Sequence, residues 1–157
     1  MEQAVETMKR DVRDHARRSR EEIWQIARQI GEHPELGYQE YFAVEVLSDY
    51  LRRNGFSVET GIAGLETAFV ARYPRSAPLI SAAETGAGTK IAFLAEYDAL
   101  PEIGHGCGHH LIAAASAGAA AVLSKIASLP GEVWVVGTPA EETSGAKVLL
   151  AEQGFFA

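Results

Sequence analysis

Residues 90–95 read KIAFLA and residues 132–138 read EVWVVGT, two unbroken apolar runs of strand length with the Ala-rich, helix-length stretch Leu111–Ala127 between them. Strand, helix, strand is the order of a parallel βαβ unit. Runs that do not alternate polar and apolar residues predict strands covered on both faces, and a helix rich in alanine can lie close to a sheet. Ligands of such sheets gather in the loops beyond the carboxyl ends of the strands. Two acidic segments fall there, Glu96-Tyr97-Asp98 after the first run and Pro139-Ala140-Glu141-Glu142 after the second. Between them lies Gly104-His105-Gly106-Cys107-Gly108-His109-His110, with the only cysteine and three of the five histidines of the chain. The reading places Asp98, Cys107, His109, Glu141 and Glu142 together in the loops at one end of the sheet.

Towards the N-terminus, Val5–Ile30 has helical spacing, with an apolar stripe of Ile23, Trp24, Ile26, Ala27 and Ile30, and Gly31 as its expected stop. Pro34 makes residues 33–37 a connection, after which Glu40–Asn54 resumes helical spacing through Val44, Val46, Leu47 and Leu51, with Gly55 as a C-terminal stop. Phe56–Glu59 and Thr67–Tyr73 read as short strands, and Pro74–Thr89 as a loop. Val148–Leu150 belongs to a last helix. The two phenylalanines of Gly154-Phe155-Phe156-Ala157 read as the start of an interrupted strand, which suggests part of a larger domain.

With 157 residues, 47% of them hydrophobic, the chain can build one packed core, which excludes fibrous and disordered classes. The net charge of -7 argues against nucleic acid or anionic membrane as partners but suits an acidic cleft that holds cations. The locally basic Lys9–Arg20 is interleaved with Asp11 and Asp14 and reads as a solvated helix face. One cysteine forms no internal disulfide, the charged N-terminus lacks a secretory core, and Leu111–Leu123 is too short and too small-residue-rich to span a bilayer. A soluble cytoplasmic protein is the expectation.

Cys107 and His109 offer a thiolate and an imidazole two residues apart on a glycine-flanked turn, and Glu142 would add a carboxylate from the neighbouring strand end. That donor set suits Zn²⁺ better than Mg²⁺ or Ca²⁺, with Mn²⁺, Co²⁺ and Ni²⁺ open. A closed structural zinc site would need more cysteines. For Glu141 and Glu142 to serve one site the strand must already have ended, because consecutive strand residues face opposite ways; Pro139 marks such an end. A competing reading makes Cys107 a nucleophile activated by His109 and the following helix. A phosphate loop is excluded, since His109 stands where the dinucleotide fingerprint needs glycine. His105 and His110 read singly as locally hydrogen-bonded or solvent-exposed, and Asp98 alone would pass for a turn residue before Pro101.

Several motifs, taken together, resemble one family. GHGCGHH is similar to the HACGH(D/N) motif of zinc amidohydrolases of the aminoacylase, hippurate hydrolase and carboxypeptidase G type. AFLAEYDALPEIGHGCGHHLIAAAS (92–116) most resembles the branch with p-aminobenzoyl-glutamate hydrolase and Xaa-Arg dipeptidase. HPELGYQE (33–40), GLETAF (64–69) and GTPAEE (137–142) match in the family's order. The resemblance implies a zinc-exopeptidase-like three-layer α/β/α fold with a mostly parallel sheet. It implies Cys107, His109 and Glu142 as metal ligands, Glu141 as the general base and Asp98 in a supporting role, with a pair of divalent ions in the complete enzyme. The substrates implied are N-acyl amino acids, aminobenzoyl-glutamate or dipeptides, and a homo-oligomer is compatible. Two positions depart from the motif: Gly106 replaces Ala, and His110 stands where Asp or Asn is usual. The family pattern continues with further histidine ligands and an inserted lid and dimerisation domain. Residues 1–157 are therefore expected to be an N-terminal part of the catalytic domain, weakly active or inactive alone. The alternative is a non-catalytic fragment or degenerate paralogue that binds metal or a full-length partner.

Overall fold

In the computed structural model, which describes residues 2–73, 90–126 and 131–156, the two apolar runs pair in parallel. The described elements run α1 (Glu2–Glu32), α2 (Tyr41–Arg53), β1 (Ser57–Thr60), a 3-10 turn (Ile62–Gly64), β2 (Phe69–Tyr73), β3 (Lys90–Ala95), α3 (His109–Leu123), β4 (Glu132–Gly137) and α4 (Ala146–Glu152). The strands form one sheet in the order β1-β2-β4-β3.

The α/β architecture is as read from the sequence, and the sheet is mixed. Only β3 and β4 are parallel among the described strands, while β1–β2 and β2–β4 are antiparallel. The link from Thr60 to Phe69 is too short for a crossover, so β1 and β2 must turn back on each other. The loop expected over Pro74–Thr89, and Ala127 at the end of the expected helix, lie outside the described residues.

Alternation along β2 and β4 divides the core in two. Phe69, Ala71, Val133 and Val135 face α1, α2 and α3 in one buried cluster. Val70 and Val136 meet Ile62, Ala68 and Leu150 of α4 in the other. Helices thus cover both faces, giving three layers. On α3, Ala113, Ala114, Ala117, Gly118, Ala120 and Ala121 are all buried, and a side chain at Gly118 would collide with Ile23 of α1. Small residues here set how closely α1 and α3 pack.

Four expectations change. The apolar run of β3 is not covered on both faces: it is the sheet edge among the described strands, and Ile91 and Leu94 are 42% and 38% exposed. Trp24 is exposed, about 100° around the helix from Ile23, off the stripe that buries Ile26, Ala27 and Ile30. Helix α1 runs past Gly31 to Glu32, just before Pro34. Phe155 starts no strand. Its N–H donates to Leu150 O at 3.0 Å and Gly154 N–H to Ala151 O at 3.0 Å, with Gly154 at φ 73°, so it closes α4 as a Schellman-type cap and packs on Trp134. Gly55 closes α2 in the same way, with Phe56 N–H to Leu51 O at 3.1 Å and Gly55 N–H to Arg52 O at 3.0 Å.

Gly137, at the end of β4, lies opposite Phe69 and beneath Tyr97. A Cβ there would collide with the Phe69 ring and come within 2.6 Å of the Tyr97 hydroxyl. Overpacking a closed core costs about 1–3 kcal/mol. Gly137→Ala is therefore expected to lower the unfolding free energy by that amount, read as a lower urea midpoint, or prevent folding; an unchanged midpoint contradicts this packing.

Candidate metal centre

The parallel register ends with Ala95 beside Gly137, and Thr138 N–H then donates to Ala95 O at 2.8 Å. Residues 96–98 and 139–142 consequently leave the same end of the sheet side by side. Helix α3 begins at this end. Gly108, at φ 81°, turns the chain so that His109 is the first residue of the helix, where the sequence reading had put it in the preceding loop.

His109 is 4% exposed. Its Nδ1 lies 2.8 Å from Asp98 Oδ1 and 3.0 Å from Asp98 O, so this nitrogen carries the proton and donates to both oxygens. The other nitrogen, Nε2, then presents a lone pair. It faces Glu142 Oε1 at 3.6 Å, Glu141 Oε2 at 3.7 Å and Glu96 Oε2 at 3.8 Å. Asp98, 2% exposed, also accepts the Glu142 backbone N–H through Oδ2 at 3.0 Å.

His109, Glu141 and Glu142 can each direct one donor atom into a space where these atoms lie within 4.8 Å of one another. The separations at Nε2 are too long for hydrogen bonds. They suit a shared cation: a tetrahedral ion with bonds of about 2.1 Å holds its ligand atoms about 3.4 Å apart. The donor set therefore fits a divalent metal. Cys107 is exposed beside the Glu142 carboxylate and lies outside this tight group. Hydrogen bonding to Glu142, with lesser effects of burial and of Glu141 and Asp98, pushes its thiol up from the usual value. Carboxylates that suppress the thiolate oppose the nucleophile reading.

Three further residues shape the site. Lys147 on α4 pairs closely with Glu96 Oε1 and lies 3.6 Å from Glu141 Oε1. Burial works to lower its ammonium, but Glu96 and Glu141 overcome this and raise it. Glu96 and Lys147 carried no assignment in the sequence reading. The first had a signal in its i, i+2 relation to Asp98; the second, six residues past Glu141, had none. The third is Glu40, fully buried, whose Oε1 accepts the Ala140 N–H at 2.8 Å.

His105 and His110 differ from the reading of each alone. Their rings lie 4.8 Å apart, and among the described residues His105 Nδ1, His105 Nε2 and His110 Nδ1 are buried without close hydrogen-bond partners. Burial pushes both rings down from the usual value, favouring the neutral form. Gly31 makes room for the His110 ring, since a Cβ there would lie 3.0 Å from His110 Cδ2.

Burial pushes the Glu40 carboxyl up from its ordinary 4.5, and the Ala140 N–H draws it part of the way back. The folded chain thus binds this proton more tightly than the unfolded chain. The stability Glu40 contributes is present below the unfolded value and is lost as pH rises through the folded one. Relative to Glu40→Gln, the native protein should lose stability as pH rises from about 4.5 towards neutral. Denaturant midpoints that track each other across this range contradict the assignment.

Residues 92–157 match the sequence profile of peptidase family M20/M25/M40. The chain is 40% identical over 160 residues to the Xaa-Arg dipeptidase of Mus musculus, covering 97% of this chain and 36% of that protein. It is 30% identical over 167 residues to one of the subunits of the p-aminobenzoyl-glutamate hydrolase of Escherichia coli K12, covering 94% of this chain and 32% of the relative. Among solved structures, the Bacillus subtilis YXEP protein, described as a dinuclear metal-binding peptidase of the M20 family, superposes with a TM-score of 0.68. It is 26% identical, and the match covers 91% of this chain and 40% of that one. The resemblance read from the motifs is thus borne out. The chain spans about a third of the length of the curated relatives it matches.

Proposed function

We propose, from the premise that this chain is a relative of the M20/M25/M40 peptidases, that its residues form part of a divalent metal centre in a hydrolase of amide bonds. The observation that carries the reading is His109, with Nδ1 committed to Asp98 and Nε2 facing the carboxylates of Glu141 and Glu142. His109, Glu142 and Cys107 are the proposed ligands, Cys107 reaching the ion by a side-chain rotation from its exposed position. Zn²⁺ suits a thiolate, imidazole and carboxylate set best, with Mn²⁺, Co²⁺ or Ni²⁺ as substitutes and a pair of ions in the whole protein.

A bound metal supplies Lewis acidity to the amide carbonyl and lowers the pKa of water. The chain supplies orientation and proton transfer. Asp98 fixes the His109 tautomer and ring plane and, through the Glu142 N–H, ties the carboxylate loop to the same point. Glu141 is the proposed general base, taking a proton from the attacking water and returning it to the leaving amine. Lys147 holds its far oxygen, leaving Oε2 turned to the site.

N-acyl amino acids, aminobenzoyl-glutamate and dipeptides are the proposed substrate classes. No helix among the described residues is long and apolar enough to cross a membrane. A cytoplasmic setting and a homo-oligomeric whole protein are part of the proposal, with neither nucleic acid nor membrane as partner. Because the chain spans a third of its relatives' length, we assign metal binding to the 157 residues and efficient turnover to a longer chain.

Calorimetric titration of the chelator-stripped chain with Zn²⁺ is expected to show binding that weakens at least about tenfold in His109→Ala and in Glu142→Ala. No heat in the native chain, or native affinity in both variants, would remove the metal centre. In a chain extended by the remainder of a relative, Glu141→Ala should lower kcat by about 10²–10⁴. Unchanged kcat would exclude Glu141 as the base.

A further inference from the structure

Glu141 and Glu142 are consecutive, yet both carboxylates reach the same nitrogen of His109. Extended backbone would send them to opposite sides. The chain solves this with a tight turn that opens at Ala140, which sits at φ 57°. Ala140 O accepts N–H groups from Thr143 at 3.2 Å and Gly145 at 2.9 Å, and Pro139 O accepts that of Ala146 at 3.2 Å. Left-handed backbone costs a non-glycine residue about 1–2 kcal/mol, and such a conformation persists only where the surroundings impose it.

The surroundings come from HPELGYQE, a motif the proposed chemistry does not use. Gly37 lies against Ala140 so closely that a Cβ on it would come within 2.8 Å of Ala140 Cβ. Tyr38 bonds Ser144 Oγ through its hydroxyl at 2.7 Å. Glu35 accepts the Phe42 and Ala43 N–H groups at the start of α2, each at 3.0 Å, and its carbonyl accepts the Ala99 N–H at 2.8 Å, beside Asp98. Glu40, fully buried, gives one oxygen to the Ala140 N–H, and its Oε2 has no close hydrogen-bond partner among the described residues. Burying a carboxyl group with half its acceptors unused is costly. The strongest hydrogen-bond influence on it is that of the strained residue that precedes the two glutamates, ahead of its own backbone, Thr67 and the Tyr38 backbone.

We infer that Glu40 is a positioning residue: by accepting the Ala140 N–H it locks the left-handed turn that brings Glu141 and Glu142 to one point. The inference rests on the metal-site reading for its consequence, though not for the bond itself. The acceptor oxygen is what matters, not the charge. Glu40→Gln can place its amide oxygen on Ala140 and keep the turn, whereas Glu40→Ala releases it. Ala140→Gly removes the conformational cost and should partly offset the loss of Glu40.

The test uses the full 157-residue chain with two readouts. The first is amide hydrogen exchange without metal at Ala140, Thr143 and Gly145. The second is Co²⁺ titration followed by visible absorption. Glu40→Ala is expected to lower protection at those three amides at least tenfold while β4 and α3 keep theirs. Its Co²⁺ affinity should fall about 10- to 100-fold, with an altered spectrum. Glu40→Gln should stay close to the native chain on both readouts, and adding Ala140→Gly to Glu40→Ala should recover part of the affinity. If Glu40→Ala does not fold, Gly37→Ala disturbs the same turn from its other side and should show the same local losses. Native behaviour of Glu40→Ala or of Gly37→Ala, or equal damage from Glu40→Gln and Glu40→Ala, overturns the inference. A native chain that binds no Co²⁺ defeats the metal-site reading, and hydrogen exchange alone then decides the role of Glu40.

Discussion

The two oxygens of Asp98 hold the arrangement together. One fixes His109 through Nδ1 and the other takes the Glu142 N–H, so a single buried side chain ties the exit of β3 to the start of α3 and to the exit of β4. Both bonds depend on register. Because β3 and β4 are parallel and end at Ala95 and Gly137, their exits lie level, and a one-residue slip would separate them by a side chain's length. The packing beneath serves the same end: Tyr97 is buried against Phe69 and donates to Thr67 O at 2.5 Å, so Glu96 and Asp98 on either side of it have little freedom.

The electrostatics suit the proposed cation site, with part of its charge already balanced. Asp98, Glu96, Glu141 and Glu142 surround one imidazole, and Lys147 pairs with two of them, Glu96 and Glu141. Carboxylates crowded around a lone pair repel one another unless a cation is shared among them. Lys147 takes one side of that cluster and leaves Nε2, Glu142 and the far oxygen of Glu141 facing each other. In the proposed centre this division would separate a ligand, Glu142, from a base, Glu141, although the two residues are adjacent in sequence.

The sequence made the centre of the fold legible where local pattern and topology coincide. KIAFLA and EVWVVGT have strand length, Leu111–Ala127 has helix length, and their order leaves the acidic segments and the Cys-His turn at one end. What pattern cannot carry is lateral order. An apolar run looks alike in the middle of a sheet and at its edge, so the exposure of Ile91 and Leu94 was not readable. Nor was the antiparallel addition of β1 and β2 on the far side of β4. The sequence singled out the proposed site residues Cys107, His109, Glu141 and Glu142 because they lie in dense motifs, and the structure brings His109, Glu141 and Glu142 together. Glu40 is distant in the chain, and its motif gave no hint that it contacts Ala140, 100 residues on. Lys147 looked like any helix lysine. His105 and His110 misled for a related reason: burial depends on where α1 passes, and Gly31 reveals that only in three dimensions.

The proposed centre requires a thiolate, an imidazole and a carboxylate, two from the Cys-His turn and one from the exit of β4, to converge on one ion. X-ray absorption of the chain loaded with one equivalent of Zn²⁺ measures this directly. A mixed shell is expected, with one sulfur at about 2.3 Å from the ion, supplied by Cys107, and nitrogen and oxygen neighbours at about 2.0–2.2 Å. The sulfur signal should vanish in Cys107→Ser. A shell of nitrogen and oxygen alone in the native chain, or a sulfur signal that survives the substitution, would contradict it.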